Sequence, residues 1–287
     1  LISGSIGALV LLSGLPVIDV VFWRCVIGAI TLLGFIVARR SPLPVVSRSA
    51  GLLAAVGGIA LVLNWLLLFA AYSQLSIGLA TVVYNTQPFM LVLMSMLLGE
   101  RVTREKWAWL AIAFCGVVLL LLSDMTQIEA SNGLIGIAMA LGAAFFYAIN
   151  ALIARQLHPI PPQYIAFVQV LVGILMLSPL THFSALSGPF PWPILLTLGI
   201  VHTGVMFQLL YSAIQKLPTP LIGSLSFIYP LVALLVDNML FGHTPNGHQF
   251  IGGILILLAA AGNNLGWAEW FIAKNKQWRF LMIKKPH

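Results

Sequence analysis

Charge is what this sequence has least of: only 7% of its residues are Asp, Glu, Lys or Arg, where a soluble domain carries about 25%. With 60% apolar residues and a mean hydropathy of +1.03, the chain cannot cover a surface with groups that water would accept. A soluble enzyme and a disordered tail are therefore both excluded. Cysteine is scarce as well. Cys25 and Cys115 fall inside apolar runs, which argues against a structural disulfide and leaves the redox compartment open. Catalytic constellations are missing: there is no His-Glu-x-x-His, no phosphate-cradling Gly-x-x-x-x-Gly-Lys loop, no paired acidic motif on a loop and no clear Ser/His pairing. Ser3-Gly-Ser-Ile-Gly7 falls short of Gly-x-Ser-x-Gly. Nothing asks for a cofactor or a metal, and the repeated carbonyl or charge rings of a channel are lacking too.

What is present is a series of long apolar runs. A bilayer core takes about 20 mostly apolar residues per helix, and ten runs qualify as spans: 1–15, 17–38, 50–71, 79–98, 106–123, 132–154, 163–181, 193–215, 220–241 and 249–268. The expected fold is thus an all-α integral membrane protein of ten transmembrane helices. The first run is short and begins at Leu1 rather than Met, which suggests a start trimmed inside the first helix. A signal peptide is the alternative, but Leu11-Leu12-Ser13-Gly14-Leu15-Pro16 offers no convincing cleavage site.

The 14 bases against seven acids, net +7 and pI 9.7, would in a soluble chain raise nucleic acid as a partner. Their placement explains them otherwise. With a cytoplasmic N-terminus, the inner loops take Arg39, Arg40, Arg48, Arg101, Arg104, Lys106, Arg155 and Lys216, and the tail takes Lys274, Lys276, Arg279, Lys284 and Lys285. Every base except Arg24 then lies on one side, as the positive-inside rule requires of the cytoplasmic face. The charge reports topology, both termini are expected in the cytoplasm, and nucleic acid is not needed. Trp107, Trp109, Trp192, Trp267 and Trp270 stand at span ends, where indole rings favour the headgroup layer. The aromatic and basic tail after Trp267 reads as an amphipathic inner-leaflet helix or a solvated tail.

Ten spans divide into five and five. Ala71, Leu75, Leu79 and Pro88 match Ala213, Leu217, Leu221 and Pro230 at one constant offset, and one residue further on Met96-Leu97-Leu98-Gly99 matches Met239-Leu240-Phe241-Gly242. Upstream, Pro16, Arg24 and Gly28 stand against Pro161, Gln169 and Gly173, and Ile6-Gly-Ala-Leu9 stands against Ile149-Asn-Ala-Leu152. Because five is odd, the second half enters the membrane from the other side. Two inverted five-helix repeats make inward-open and outward-open states near-equivalent packings, which is the logic of an alternating-access carrier. The expected units are 1–123, 132–268 and a basic cytoplasmic tail, 269–287.

The stretch from Ala71-Tyr72 through Leu79, Pro88 and Leu98-Gly99-Glu100-Arg101 to 107–122, with Arg24 in the second span, resembles the EamA-type repeat of the drug/metabolite transporter superfamily. The likeness covers both halves, to about Trp267. Two departures stand out: His243 takes the place of Glu100, and the Trp-Gly usual in the first helix is absent around Ser3-Gly4. The resemblance implies an inner-membrane exporter or exchanger of small metabolites, with proton coupling or exchange as its drive. It also implies a cavity formed mainly by the third, fourth, eighth and ninth helices.

Polar groups at membrane depth are costly and each asks for a reason. Arg24 either binds an anionic group such as a carboxylate or ties the bundle through a helix terminus or Asp19. Asn85, Thr86 and Gln87 precede Pro88, and Ser224, Ser226 and Tyr229 precede Pro230. A mid-span proline frees a carbonyl, and its recurrence in both halves points to a central site, with a plain kink as the alternative. Asn64, Trp65, His202, Phe207, Gln208 and Tyr211 lie on the third and eighth helices, Trp65 and Phe207 in matching places as two aromatic walls. His202 could shuttle a proton or simply pack. For Asn150 and Gln169 the plain alternative is interhelical hydrogen bonding, and Asp237 can snorkel to water. Glu100 with Arg101, Arg104, Glu105 and Lys106 reads as an inner-surface gate or cap, or as a solvated loop. The expected substrate-binding set is Arg24, Asn64, Trp65, Asn85, Gln87, His202, Gln208, Tyr211 and Tyr229. The small-molecule cargo is expected to be an amino acid or aromatic compound. A passive facilitator and an integral membrane enzyme are the rival functions.

Overall fold

The structure is a computed structural model that describes residues 2–38, 44, 46–75, 77–120, 133–181, 191–228, 231–232 and 247–265. Tyr229, Pro230, Asp237, His243 and the basic tail lie outside the described residues. All regular structure among the described residues is helical. A 3₁₀ turn (Ile2–Ser5) leads into α1 (Ile6–Leu12), followed by α2 (Val17–Ala38), α3 (Arg48–Ala71), α4 (Ile77–Tyr84), α5 (Gln87–Leu97) and α6 (Arg104–Leu120). Then come α7 (Gly133–Gln156), α8 (Pro162–Leu177), α9 (Trp192–Leu196), a π-helical segment (Thr197–Val205), α10 (Met206–Lys216), α11 (Thr219–Ser226) and α12 (Gly247–Leu265). Among the described residues, α2, α3, α7 and the continuous rod Trp192–Lys216 are long and apolar enough to cross a membrane. The 22 residues of α2 reach about 33 Å at 1.5 Å per residue, matching a hydrocarbon core of about 30 Å.

Local chemistry sets the ends of these rods. Pro162, Pro193 and Pro220 sit in first turns, where their missing N–H has no partner to lose. The Ser47 hydroxyl caps α3 by accepting from the Ala50 N–H at 3.2 Å. Gly99, at φ +93°, ends α5. The Glu100 N–H reaches back to the Ser95 carbonyl and the Gly99 N–H to that of Met96, a pairing that needs the left-handed conformation a glycine allows.

The distribution of side chains is that of a protein in lipid. Ile30, Val37, Leu52, Leu134, Leu175 and Ile251 are exposed, while Arg24, Asn64, Asn150, Gln169 and His202 are buried. The larger core joins α2, α3, α7, α8 and the Trp192–Lys216 rod. The smaller one gathers Val92, Leu110, Val117, Phe227 and Ile256 from α5, α6, the end of α11 and α12. The run 79–98, expected as one span, is two helices here. Pro88 has no N–H to give to the Tyr84 carbonyl. The break at Asn85–Thr86 is closed by the Asn85 amide donating to the Thr81 carbonyl (2.6 Å) and the Thr86 hydroxyl to that of Val83 (2.8 Å).

The π segment owes its place to α2. A Cβ on Gly199 would stand 2.4 Å from Ile27, and one on Gly28 would stand 2.5 Å from the Thr203 methyl, so the two backbones are in near contact. Gly199→Ala is accordingly expected to force them apart at a cost of about 1–3 kcal/mol. A lowered thermal unfolding midpoint of the detergent-solubilised protein would register it, and an unchanged midpoint would contradict the close approach.

Candidate functional site

Arg24 is fully buried on α2, and the groups it touches are neutral. Its Nε donates to the Thr203 hydroxyl at 2.8 Å and one terminal nitrogen, Nη2, to the His202 carbonyl at 3.0 Å. The Met206 N–H, the i+4 donor of a regular α-helix, passes over that carbonyl to Val201 and Thr203, a consequence of the widened helix. The guanidinium carbon lies 4.1 Å from the centre of the Trp65 ring and 6.0 Å from that of Phe69. A desolvated contact of this kind contributes about 2 kcal/mol. The remaining terminal nitrogen, Nη1, is buried without a hydrogen-bond partner. The pairing with Asp19 that the spacing allowed is not made; the one ion pair among the described residues joins Arg155 to Glu100. A guanidinium in this position is held by helix carbonyl, hydroxyl and aromatic face, and it keeps one donor open for an anionic or carbonyl group.

His202 sits on the same π segment, its Nε2 2.9 Å from the Ser5 hydroxyl and its Nδ1 3.2 Å from the Thr197 carbonyl. Trp65 and Phe207, expected as two walls, meet edge to face with ring centres 5.5 Å apart. Asn64 donates to the Tyr84 hydroxyl (3.1 Å) and to the Ala143 carbonyl (2.7 Å), tying α3 to α4 and α7. Arg24, Trp65 and His202 are thus drawn into one cluster, with Asn64 beside Trp65 and bonded to Tyr84.

The other expected residues fall elsewhere. Asn85 closes the break between α4 and α5. Gln87 is buried at the start of α5, its Oε1 without a hydrogen-bond partner, and Gln208 is half-buried on α10. Pro88 faces Gly223 of α11, where a Cβ would stand 3.3 Å from the proline ring, so α5 and α11 meet at the proline. Tyr229 is outside the described residues. Tyr211 belongs to a second cluster. Its hydroxyl donates to Gln169 and accepts from Asn150 at 2.7 Å, while Gln169 donates to Asn150 at 2.9 Å. Each member of this buried triad bonds the other two.

Thr203, Tyr84 and Ser5 are contributors that sequence reasoning passed over. Thr203 and Tyr84 adjoin His202 and Asn85 in the chain, and that adjacency was the available signal. Ser5 is brought in only by tertiary packing.

Comparison with known proteins bears on the whole chain. The sequence model of the EamA-like transporter family matches residues 3–122 and 134–265. An "Uncharacterized transporter YxxF" of Bacillus subtilis is 29% identical over 269 residues, 91% of this chain and 85% of its own. An "Uncharacterized transporter" of Archaeoglobus fulgidus is 31% identical over 206 residues, 70% of each. The "Threonine/homoserine exporter RhtA" of Salmonella typhimurium is 25% identical over 202 residues, 69% of this chain and 66% of its own. A solved crystal structure superposes with a TM-score of 0.77 over 91% of both chains at 21% identity, a likeness of fold.

The triad makes a prediction of its own. Tyr211→Phe leaves Asn150 and Gln169 each one partner short and is expected to destabilise the protein by about 1 kcal/mol. Tyr211→Ala, which also removes the ring packed on Phe207 at 5.2 Å, should cost clearly more. Thermal unfolding in detergent separates the two, and equal midpoints would show that the hydroxyl network carries no stability.

Proposed function

The chain belongs to the EamA-like transporter family, and on that premise we propose that it is a secondary carrier. It moves small metabolites, amino acids or aromatic compounds, outward across the inner membrane by alternating access. The proposed architecture is ten transmembrane helices in two inverted repeats, 1–123 and 132–268, with both termini cytoplasmic. The proposed drive is proton coupling or exchange. RhtA, whose name gives threonine and homoserine as its cargo, is the relative that favours amino acids.

The cluster around Arg24 is the observation that carries this reading. A buried cation with an unpartnered donor, an indole face and His202 beside it is placed where the π segment meets α2. Polar groups at membrane depth mark substrate pathways, and irregular helix there is tolerated where it is buried in protein or lines a cavity. The proposed binding set is Arg24, Asn64, Trp65, Asn85, Gln87, His202, Gln208, Tyr211 and Tyr229, with the triad of Tyr211 holding the second half of its wall. Inverted repeats find support in α4 and α11. Each has eight residues, and they end at Tyr84 and Ser226, matching positions ahead of Pro88 and Pro230.

Proteoliposomes loaded with pooled amino acids and aromatic metabolites, with and without an imposed proton gradient, test the reading. Saturable flux is expected, gradient-dependent for a coupled carrier and trans-stimulated for an exchanger. Arg24→Gln removes the charge over Trp65 and should lower flux about tenfold, the equivalent of about 1.4 kcal/mol. Absence of flux for every pool would overturn the assignment, and flux untouched by alanine at each proposed residue would overturn the site.

A further inference from the structure

Three connections that the charge pattern assigns to one side of the membrane meet in the structure. Glu100 follows the end of α5, Arg155 lies in the last turn of α7, and Leu217 and Thr219 join α10 to α11. The Arg155 guanidinium pairs with the Glu100 carboxylate, donates to the Thr219 hydroxyl and reaches the Leu217 carbonyl at 3.5 Å. Next to it, the Gln215 amide donates to the Ile160 carbonyl at 3.0 Å. One cation therefore ties the end of α5, in the first half, to two separate connections of the second. Arg101 and Arg104, close to Glu100 in the chain, are exposed and form no ion pair with it.

The matching of the two halves sharpens the point. The register that sets His243 against Glu100 and Ile149 against Ile6 sets Leu12 against Arg155. The matched positions thus hold a histidine and a leucine, which cannot form a carboxylate–guanidinium pair. Resting on the alternating-access reading above, we propose that Glu100, Arg155 and Thr219 form a latch that shuts one end of the carrier. The matched positions of the two halves offer no such pair, so the resting protein favours the state closed at the Glu100–Arg155 end. Opening that end separates α5 from α7 and breaks the pair, for which the matched residues Leu12 and His243 supply no equivalent. The two side chains are 28% and 32% exposed, so the bias is modest. An ion pair of this exposure changes a two-state ratio by about 2- to 5-fold.

Spin labels on cysteines placed at Thr103 and His158, both exposed and flanking the latch, measure the separation. The experiment uses the otherwise intact chain in nanodiscs, with Cys25 and Cys115 replaced by alanine. The wild-type pair should show a dominant short distance. Glu100→Gln and Arg155→Gln should each lower the ratio of short to long distances about 2- to 5-fold, and the reversed pair E100R/R155E should recover part of the loss, because a carboxylate at 155 cannot donate to the Leu217 carbonyl. A distribution unmoved by the single changes, or a reversed pair no better than either one, overturns the latch. Thermal midpoints of the same samples identify a variant that has merely lost its fold, and the reversed pair then decides. Flux in matched proteoliposomes is read separately. Wild-type protein without flux for any pool removes the carrier reading, while unchanged distances with normal flux remove only the latch.

Discussion

A guanidinium inside a bilayer has to be solvated by the protein itself, and Arg24 shows what that demands. Hydration of a cation is worth many kcal/mol, and no carboxylate pairs with this one among the described residues. The protein supplies a carbonyl, a hydroxyl and an indole face in its place. Each of these depends on something further off. The Met206 N–H bypasses the carbonyl in the π-wound helix that carries it, and the hydroxyl is in reach because Gly28 and Gly199 let two backbones nearly touch. The indole is held in turn by Phe207. Removing any one of them leaves the charge poorly solvated, so the packing of α2, α3 and the Trp192–Lys216 rod is organised by this side chain.

The positions that the proposed repeat would match carry different chemistry. Arg24 stands against Gln169 and Phe69 against Tyr211 in the sequence register, and in each half the two side chains approach one another. In the first half the result is a cation with an open donor. In the second it is a neutral ring of hydrogen bonds with Asn150 that is complete as it stands. On the proposed register, one pair of positions leaves a donor open while the other closes a hydrogen-bonded network.

Much of this could be read from the residues alone, because the bilayer imposes one strong rule. Apolar runs of fixed length give helices, and the rare polar group inside them is buried. Arg24, Asn64, Asn150, Gln169 and His202 obey that rule. The break before Pro88 follows from the missing N–H of proline and is equally local. Other features depend on which helix lies beside which. Glu100 has Arg101 and Arg104 close by in sequence, yet pairs with Arg155 in the last turn of α7. Asp19 is close to Arg24 in the chain, but the guanidinium turns to Thr203 and His202. Spacing along one helix gives reach and says nothing about the better partner on the next helix. The π segment was hidden for a related reason: no residue between Thr197 and Val205 announces it, and it lies in close contact with α2, a neighbour that spacing along the chain does not name.

The π segment also alters how the rod that contains it can be read. Each residue of the wider helix turns the chain through a smaller angle than an α-helical residue does. A helical wheel drawn at 3.6 residues per turn through Trp192–Lys216 therefore loses phase partway along. Trp192, Leu196 and Ile200 share an exposed face before and within it, whereas after it Phe207, Tyr211 and Ile214 define a buried one. The azimuth of the second face is set afresh. Substitutions upstream can be tuned to lipid without rotating the residues that meet α7 and α8, so the two ends of one continuous helix are free to diverge as though they belonged to different elements.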